Sequence, residues 1–237
     1  EVLLPPRLVI GLRRDQDQFC FAKLEVSMWD LIQKGGPVMY LIMILSVISL
    51  GIIIERMYNL NRARIDSQKF MDDIISSLKH NKIIESIEMC NKTPGPIAHI
   101  IKAGILKHDR SKPEIKEAID EAAQLEIPRM EKHLPILATI AHIAPLLGLL
   151  GTVSGMIKAF QVIQNKAAAM TPVNPGDLAA GIWESLLATL AGLLVAIPTY
   201  VAYNYLVNQV DSLAYDMERS ATDLVNLLSS RRDTYEV

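Results

Sequence analysis

The chain has 237 residues, half of them hydrophobic and 21% charged, with a net charge of −2. Near-neutral charge gives no electrostatic footprint for nucleic acid, and no phosphate-loop GxxxxGK[ST], HExxH or GxSxG stretch occurs to suggest an enzyme. A chain both half apolar and one fifth charged must segregate the two kinds of residue into blocks, which points to a membrane protein.

Residues 1–27 have too short an apolar stretch for a span, and Arg13-Arg14 follow that stretch, the reverse of a signal peptide. Met28 is a natural start, so residues 1–27 are expected to be dispensable. Cys20 and Cys90 have no second Cys or His at metal spacing, so they read as free thiols and no metal or cofactor is expected.

The first apolar block, Pro37 to Ile54, carries no charge and just reaches the length of a spanning helix. Arg56, Arg62 and Arg64 crowd its C-terminal end, whereas Lys34 alone precedes it. The positive-inside rule therefore places residues 1–36 outside and the following segment in the cytoplasm.

Residues 55–134 form that cytoplasmic segment. Phe70, Ile74, Ile75 and Leu78 recur at helical spacing, Ile83, Ile84 and Ile87 extend the pattern, and Thr93-Pro94-Gly95-Pro96 ends it. A short apolar stretch, Ile97 to Leu106, follows. Ser111-Lys112-Pro113-Glu114 has the form of a capping box opening a charged helix. Basic and acidic side chains nearly balance over the segment, as expected of a solvated, self-paired helical surface. His80, His99, His108 and His133 receive no role.

No turn signal separates the capped helix from the second apolar block, Leu134 to Ile157, so a continuous helical run, with Pro128 and Pro135 as places where it can kink, is expected from Pro113 to about Gln164, with span 2 at 135–163. Straight, it would measure on the order of 75 Å, far more than a bilayer requires. His142 reads as packed or interfacial rather than as a proton relay. Lys158, near the end of this span, reads as snorkelling to the interface. A short outer loop, 164–177, carries Pro172, Pro175 and Gly176 as turn formers.

The third span, 178–206, is the most informative. Between Asp177 and Asp211 lies a membrane-length run with one charged side chain, Glu184. A lone carboxylate in hydrocarbon costs about 2.5 kcal/mol or more, so it needs a partner, a water path or a proton. Thr152 and Thr189 are the hydroxyls expected to serve it or a water chain, because a hydroxyl both donates and accepts. Beyond the span, Leu206, Val210, Leu213, Met217, Leu224 and Leu228 carry a helical stripe through the cytoplasmic tail, 207–237.

Two small-residue stripes complete the pattern. Ala144, Gly148, Gly151, Thr152, Gly155 and Ala159 share one face of span 2, and Gly181, Ser185, Ala188, Thr189, Gly192 and Ala196 one face of span 3. Small residues let helix backbones approach closely in lipid, whether within one chain or between subunits; both remain open.

These motifs resemble a family. Ala144-Pro145-Leu146-Leu147-Gly148-Leu149-Leu150-Gly151-Thr152-Val153 with Gly155-Met156, followed by Gly181-Ile182-Trp183-Glu184-Ser185-Leu186-Leu187-Ala188-Thr189 and Gly192 to Pro198, is similar to the paired signature of the ExbB/TolQ/MotA proton-channel proteins, closest to ExbB and TolQ. Met28 to Pro37 and Ile127-Pro128-Arg129-Met130-Glu131 resemble it too, so the likeness covers about residues 28 to 215. It implies an all-α membrane protein with three spans and long cytoplasmic helices, acting in the bacterial inner membrane as a stator subunit of a proton-driven motor. It also implies a homo-oligomer, a pentamer, around two copies of an ExbD/TolR-like single-span partner with an essential Asp, with a TonB/TolA-like protein beyond. The family's membrane Glu falls on Glu184 and its two Thr on Thr152 and Thr189. Departures are Ser185 where Ala is common, Ser154 where Trp is common, the added charge of Lys158, which either snorkels or tunes the proton entrance, and a longer 164–177 loop.

Other classes explain less. A secondary transporter usually shows an internal repeat, which three unlike spans lack. A passive helical scaffold explains the stripes but not Glu184. A MotA-type flagellar role would call for four spans, while nutrient import, envelope maintenance, gliding and export all stay open, as does H+ against Na+.

Overall fold

The computed structural model describes residues 35–64 and 66–235, which form seven helices and no strand. They are α1 (Gly36–Ala63), α2 (Ser67–Lys79), α3 (Ile83–Lys92), α4 (Pro96–Leu106), α5 (Lys112–Glu131), α6 (Leu134–Ala168) and α7 (Pro175–Tyr235). The expectations on residues 1–27, Cys20 and Lys34, and the part of the Met28–Pro37 motif before Gly35, lie outside the described residues. Three stretches, Gly36–Lys79, Lys112–Ala168 and Leu178–Ser230, each hold a helix long and apolar enough to cross a membrane. The all-helical, three-span fold class therefore stands.

The chain divides into two compact units. One comprises residues up to Ile44 with Ala144–Leu194, the other Leu45–Ile143 with Val195–Val237.

In the second unit, α2 starts on Asp66, whose side chain accepts from the Lys69 N–H at 3.1 Å, as an N-cap should. It buries Phe70, Met71, Ile74 and Leu78. The continuous pattern expected through Ile87 is broken here: Asn81 takes a left-handed φ of 64°, which Asn tolerates better than most residues, and α3 restarts at Ile83. Ile84 consequently points outward and is exposed. At the expected Thr93–Pro96 break, Gly95 has φ 122°, and a Cβ there would lie 2.8 Å from the Ala63 carbonyl oxygen. Only glycine suits that position.

The core of this unit joins α4 to the far part of α7. Ile97, Ile100, Ile101, Ile105, Ile115 and Ile119 are buried against Leu206, Val210, Leu213, Met217, Leu224 and Leu228, so the stripe read beyond span 3 is a core face. Burying each such side chain is worth about 1.5–3 kcal/mol relative to leaving it in water. Gly104 lets α4 into this packing: a Cβ on it would meet Ile119 Cδ1 at 2.7 Å and Leu224 Cδ2 at 2.8 Å.

The Ser111 box forms in a modified way. Ser111 is the N-cap of α5, but its hydroxyl donates to Glu114 Oε1 at 2.6 Å instead of accepting from the backbone. That hydroxyl, with the Ser111 backbone group and nearby Arg110 and Lys107, outweighs burial and holds the Glu114 carboxyl below its ordinary range.

The helical run expected from Pro113 to Gln164 breaks outright at one of its two candidate kinks, Pro135, and passes through the other, Pro128. α5 ends at Glu131, Lys132 turns extended, His133 adopts φ 67°, and α6 begins at Leu134. The cause is Pro135, which has no N–H to give the Glu131 carbonyl and whose ring would collide with that carbonyl in a continuous helix. In the first turn of α6 the same proline is well tolerated. The junction is pinned from α1: buried Arg56 donates to the Arg129 carbonyl at 3.3 Å and to Glu55 Oε1 at 2.9 Å, and His133 Nδ1 lies 3.1 Å from Glu55 Oε2. Arg56, an orientation marker in the sequence, and His133, which had no role there, are thus fastening groups.

Candidate functional site

The site is built in the first unit, where α6 and α7 run side by side in opposite directions. Their contacts pair in reversed order along the two small-residue stripes. A Cβ on Gly192 would lie 2.6 Å from the Ala144 carbonyl oxygen, and one on Gly148 would lie 3.1 Å from both the Ala188 carbonyl oxygen and Thr189 Cα. One on Gly151 would overlap the Ala188 methyl; one on Gly155 would sit 2.7 Å from the Gly181 carbonyl oxygen and from Ser185 Oγ; one on Gly181 would sit 2.8 Å from Ala159 Cβ. The stripes therefore interlock within a single chain. Ser185 and Ala188 are buried, and Ser185 Oγ donates to the Gly181 carbonyl at 2.6 Å, so its polar atom is satisfied inside its own helix.

Glu184 stands next to this seam on α7, with its side chain 19% exposed. Lys158 Nζ, from α6, donates to its Oε1 at 2.5 Å. On another side is the start of α1: Gly36 has φ 71°, and a Cβ there would overlap Glu184 Oε1 and lie 2.9 Å from its Cδ. The carboxylate is thus held between an ammonium and bare backbone.

Lys158 corrects the expectation that it snorkels away to the interface. Its signal is present in the chain. Lys158 is the one Lys, Arg, Asp or Glu between Lys132 and Lys166, just as Glu184 is the one between Asp177 and Asp211. Two solitary opposite charges on adjacent apolar helices find each other because each is the nearest available neutraliser for the other. Gly36, part of a motif in the sequence, is also a wall of the site, which the motif alone does not reveal.

The two threonines are placed elsewhere along the seam. Thr152 Oγ1 donates to the Leu149 carbonyl at 2.6 Å, and Thr189 Oγ1 crosses from α7 to the Gly148 carbonyl on α6 at 3.2 Å. Thr189 lies five residues along α7 from Glu184, roughly 7–8 Å of helix rise. The structure brings Glu184 and Lys158 together, and gathers Thr152 and Thr189 around the Gly148 turn of α6. Each hydroxyl donates to a carbonyl and keeps lone pairs free to accept.

His142 is on α6 in the other unit. Its Nδ1 lies 2.7 Å from the Ala138 carbonyl of its own helix, and its exposed ring meets Tyr200 edge-on at 6.3 Å. Among the described residues no cluster of three or more His, Cys, Asp or Glu can hold a metal ion.

Comparison with known proteins places the chain in a family. The family model described as the MotA/TolQ/ExbB proton channel family matches residues 92–219, which takes in both stripes, Glu184 and Lys158. The Tol-Pal system protein TolQ of Haemophilus influenzae is 32% identical over 222 residues, 86% of this chain and 94% of that protein. A putative biopolymer transport protein ExbB homolog of Methanothermobacter thermautotrophicus is 26% identical over 183 residues, 77% of this chain and 63% of that protein. The biopolymer transport protein ExbB of Aquifex aeolicus is 41% identical over 102 residues, 43% of this chain and 66% of that protein. With more than half its length matched by the family model and a TolQ relative aligned over nearly all of its own length, the chain belongs to the MotA/TolQ/ExbB proton channel family.

Proposed function

We propose that the chain is the proton-channel stator subunit of a motor in a bacterial inner membrane, driven by the proton-motive force, and that Glu184 is the carboxylate that takes up and releases the proton. The observation that carries this reading is a single ionisable acid in an otherwise uncharged, membrane-length run of α7, set beside a tight helix seam. A scaffold needs the seam; it does not need an opposite-charge pair, which apolar side chains of similar volume replace at little cost in stability. A proton crossing the membrane releases roughly 2.3 kcal/mol per 100 mV, enough to bias one step of a mechanical cycle.

In this reading Thr152 and Thr189 lie along the proton path, accepting from or donating to water in it. The subunit acts as a homo-oligomer, a pentamer, around a dimer of an ExbD/TolR-like single-span protein, and passes work to a TonB/TolA-like protein of the envelope. The Arg residues that follow the first span support an N-terminus on the periplasmic side and a C-terminus in the cytoplasm. The partner's identity determines whether the motor serves import, envelope maintenance or another task.

The test is Glu184→Gln, which keeps size and hydrogen-bonding capacity but cannot ionise. Expressed with the cognate partner, it should assemble normally and lose proton-driven work, while Glu184→Asp retains part of it. Full proton-dependent activity in Glu184→Gln would make the carboxylate structural and end the proposal.

A further inference from the structure

Lys158 and Glu184 are each the sole charge in a membrane-length run of sequence, they belong to neighbouring apolar helices, and their side chains meet at 2.5 Å. Among the described residues the other surroundings of the carboxylate are uncharged: Gly36 offers backbone, and Ser185 beside it is committed to the Gly181 carbonyl. The two partners differ in freedom. Glu184 is mostly enclosed, whereas the Lys158 side chain is 45% exposed and carries its ammonium on a flexible four-carbon stem.

We propose that Lys158 is a built-in counter-ion, a positioning residue that holds Glu184 as a carboxylate between proton transfers and must swing off it before a proton can bind. A buried pair is tolerable because its net charge is zero; removing one member leaves the other uncompensated. When the ammonium leaves, Oε1 takes a proton from the water path and an O–H bond forms, while Lys158 keeps its own three protons. When the ammonium returns, that O–H bond breaks, the proton departs along the path and the pair closes. The inference rests on the proposed proton role of Glu184 but makes a claim about charge state that can be read without transport.

The experiment uses the full chain with its partner in native membranes at about neutral pH, treated with dicyclohexylcarbodiimide. This apolar reagent adds to protonated carboxyls and leaves an N-acylurea that mass spectrometry locates. In the unsubstituted protein Glu184 should label slowly. Lys158→Met should label about tenfold faster, the factor equivalent to about 1.4 kcal/mol. Lys158→Arg, which can still neutralise the carboxylate, should return labelling to the slow rate, and Glu184→Gln should not label at this position. Equal rates in Lys158→Met and the unsubstituted protein overturn the proposal, as does fast labelling in Lys158→Arg. A second measurement needs no variant: the carbodiimide activates the protonated Glu184 carboxyl as an O-acylisourea, and Lys158, its ammonium then unpaired and one proton given up to water, should attack that carbonyl, giving an isopeptide bond and releasing dicyclohexylurea. Retained motor activity in Glu184→Gln would instead sink the transport reading and leave the labelling result standing.

Discussion

Gly192→Ala, compared with Gly51→Ala, measures how much of the stability of the α6–α7 pair depends on backbone approach. Both glycines lie inside long helices, so each replacement gains about 0.5–1 kcal/mol of intrinsic helix preference. At Gly51 nothing lies within 4 Å of the new methyl, and that gain should appear undiminished. At Gly192 the methyl falls 2.6 Å from the Ala144 carbonyl oxygen and 3.1 Å from Gly148 Cα. Both neighbours are backbone, so no side chain can rotate away and the helices themselves must separate. Overpacking of this kind costs about 1–3 kcal/mol, and the threonine bond from Thr189 to the Gly148 carbonyl, already 3.2 Å, lengthens with the separation. The two variants should therefore differ by about 1–3 kcal/mol, or about 2–12 °C in thermal midpoint for a chain of this size. Midpoints in one detergent, read by circular dichroism, provide the comparison. If Gly192→Ala melts at or above Gly51→Ala, close backbone contact is not what holds this seam.

Cys90 is buried, and burial pushes its thiol up to about 11, so at pH 8 it should alkylate about a hundredfold more slowly in the folded protein than in denaturant; equal rates would place it at the surface. The same thiol favours folding below its unfolded value, and that contribution disappears as pH rises through the folded one. Glu114 is held below the ordinary carboxylate range by Ser111, so its contribution is present above about pH 4.3 and lost as pH falls through its folded value. Glu114→Gln should flatten the acid limb of a stability-against-pH curve; an unchanged limb would show that the Ser111 bond carries no linkage.

Much of the fold is legible in the sequence because its signals are local. Apolar length marks the three spans, and the period of Leu206 to Leu228 marks a face that proves to be core. The breaks are harder. Pro135 announces the end of α5, yet a proline one turn into a helix and a proline inside one look alike in sequence, and Pro128 does sit inside α5. Asn81 is one residue of a type that only sometimes turns left-handed. At the site, Glu184 stands out by isolation, whereas Lys158 considered on its own helix has an interface within reach. Its partner is 26 residues away, across the loop, and only the antiparallel stripes bring the two together. The charge pair follows from the packing: Ala159 and Ser185, adjacent to the two charged residues, both take part in the Gly155–Gly181 contact.

This dependence gives a last prediction, at Gly36. Two glycines among the described residues have positive φ, Gly36 at 71° and Gly95 at 122°. Alanine should destabilise the chain through backbone strain alone by about 1–2 kcal/mol at Gly36 and by about 1–3 kcal/mol at Gly95, whose φ of 122° with ψ of 162° suits essentially glycine only. Their surroundings differ. At Gly95 the methyl meets the Ala63 carbonyl, far in sequence from the Lys158–Glu184 pair, whereas at Gly36 it overlaps Glu184 Oε1. Gly36→Ala must therefore displace the carboxylate as well, pulling Oε1 from the Lys158 ammonium. Both variants should lose stability, Gly95→Ala at least as much as Gly36→Ala, but only Gly36→Ala should accelerate carbodiimide labelling of Glu184. If Gly95→Ala accelerates it equally, general loosening explains the effect; if neither does, Gly36 is not a wall of the site, and the carboxylate is positioned by the α6–α7 seam alone.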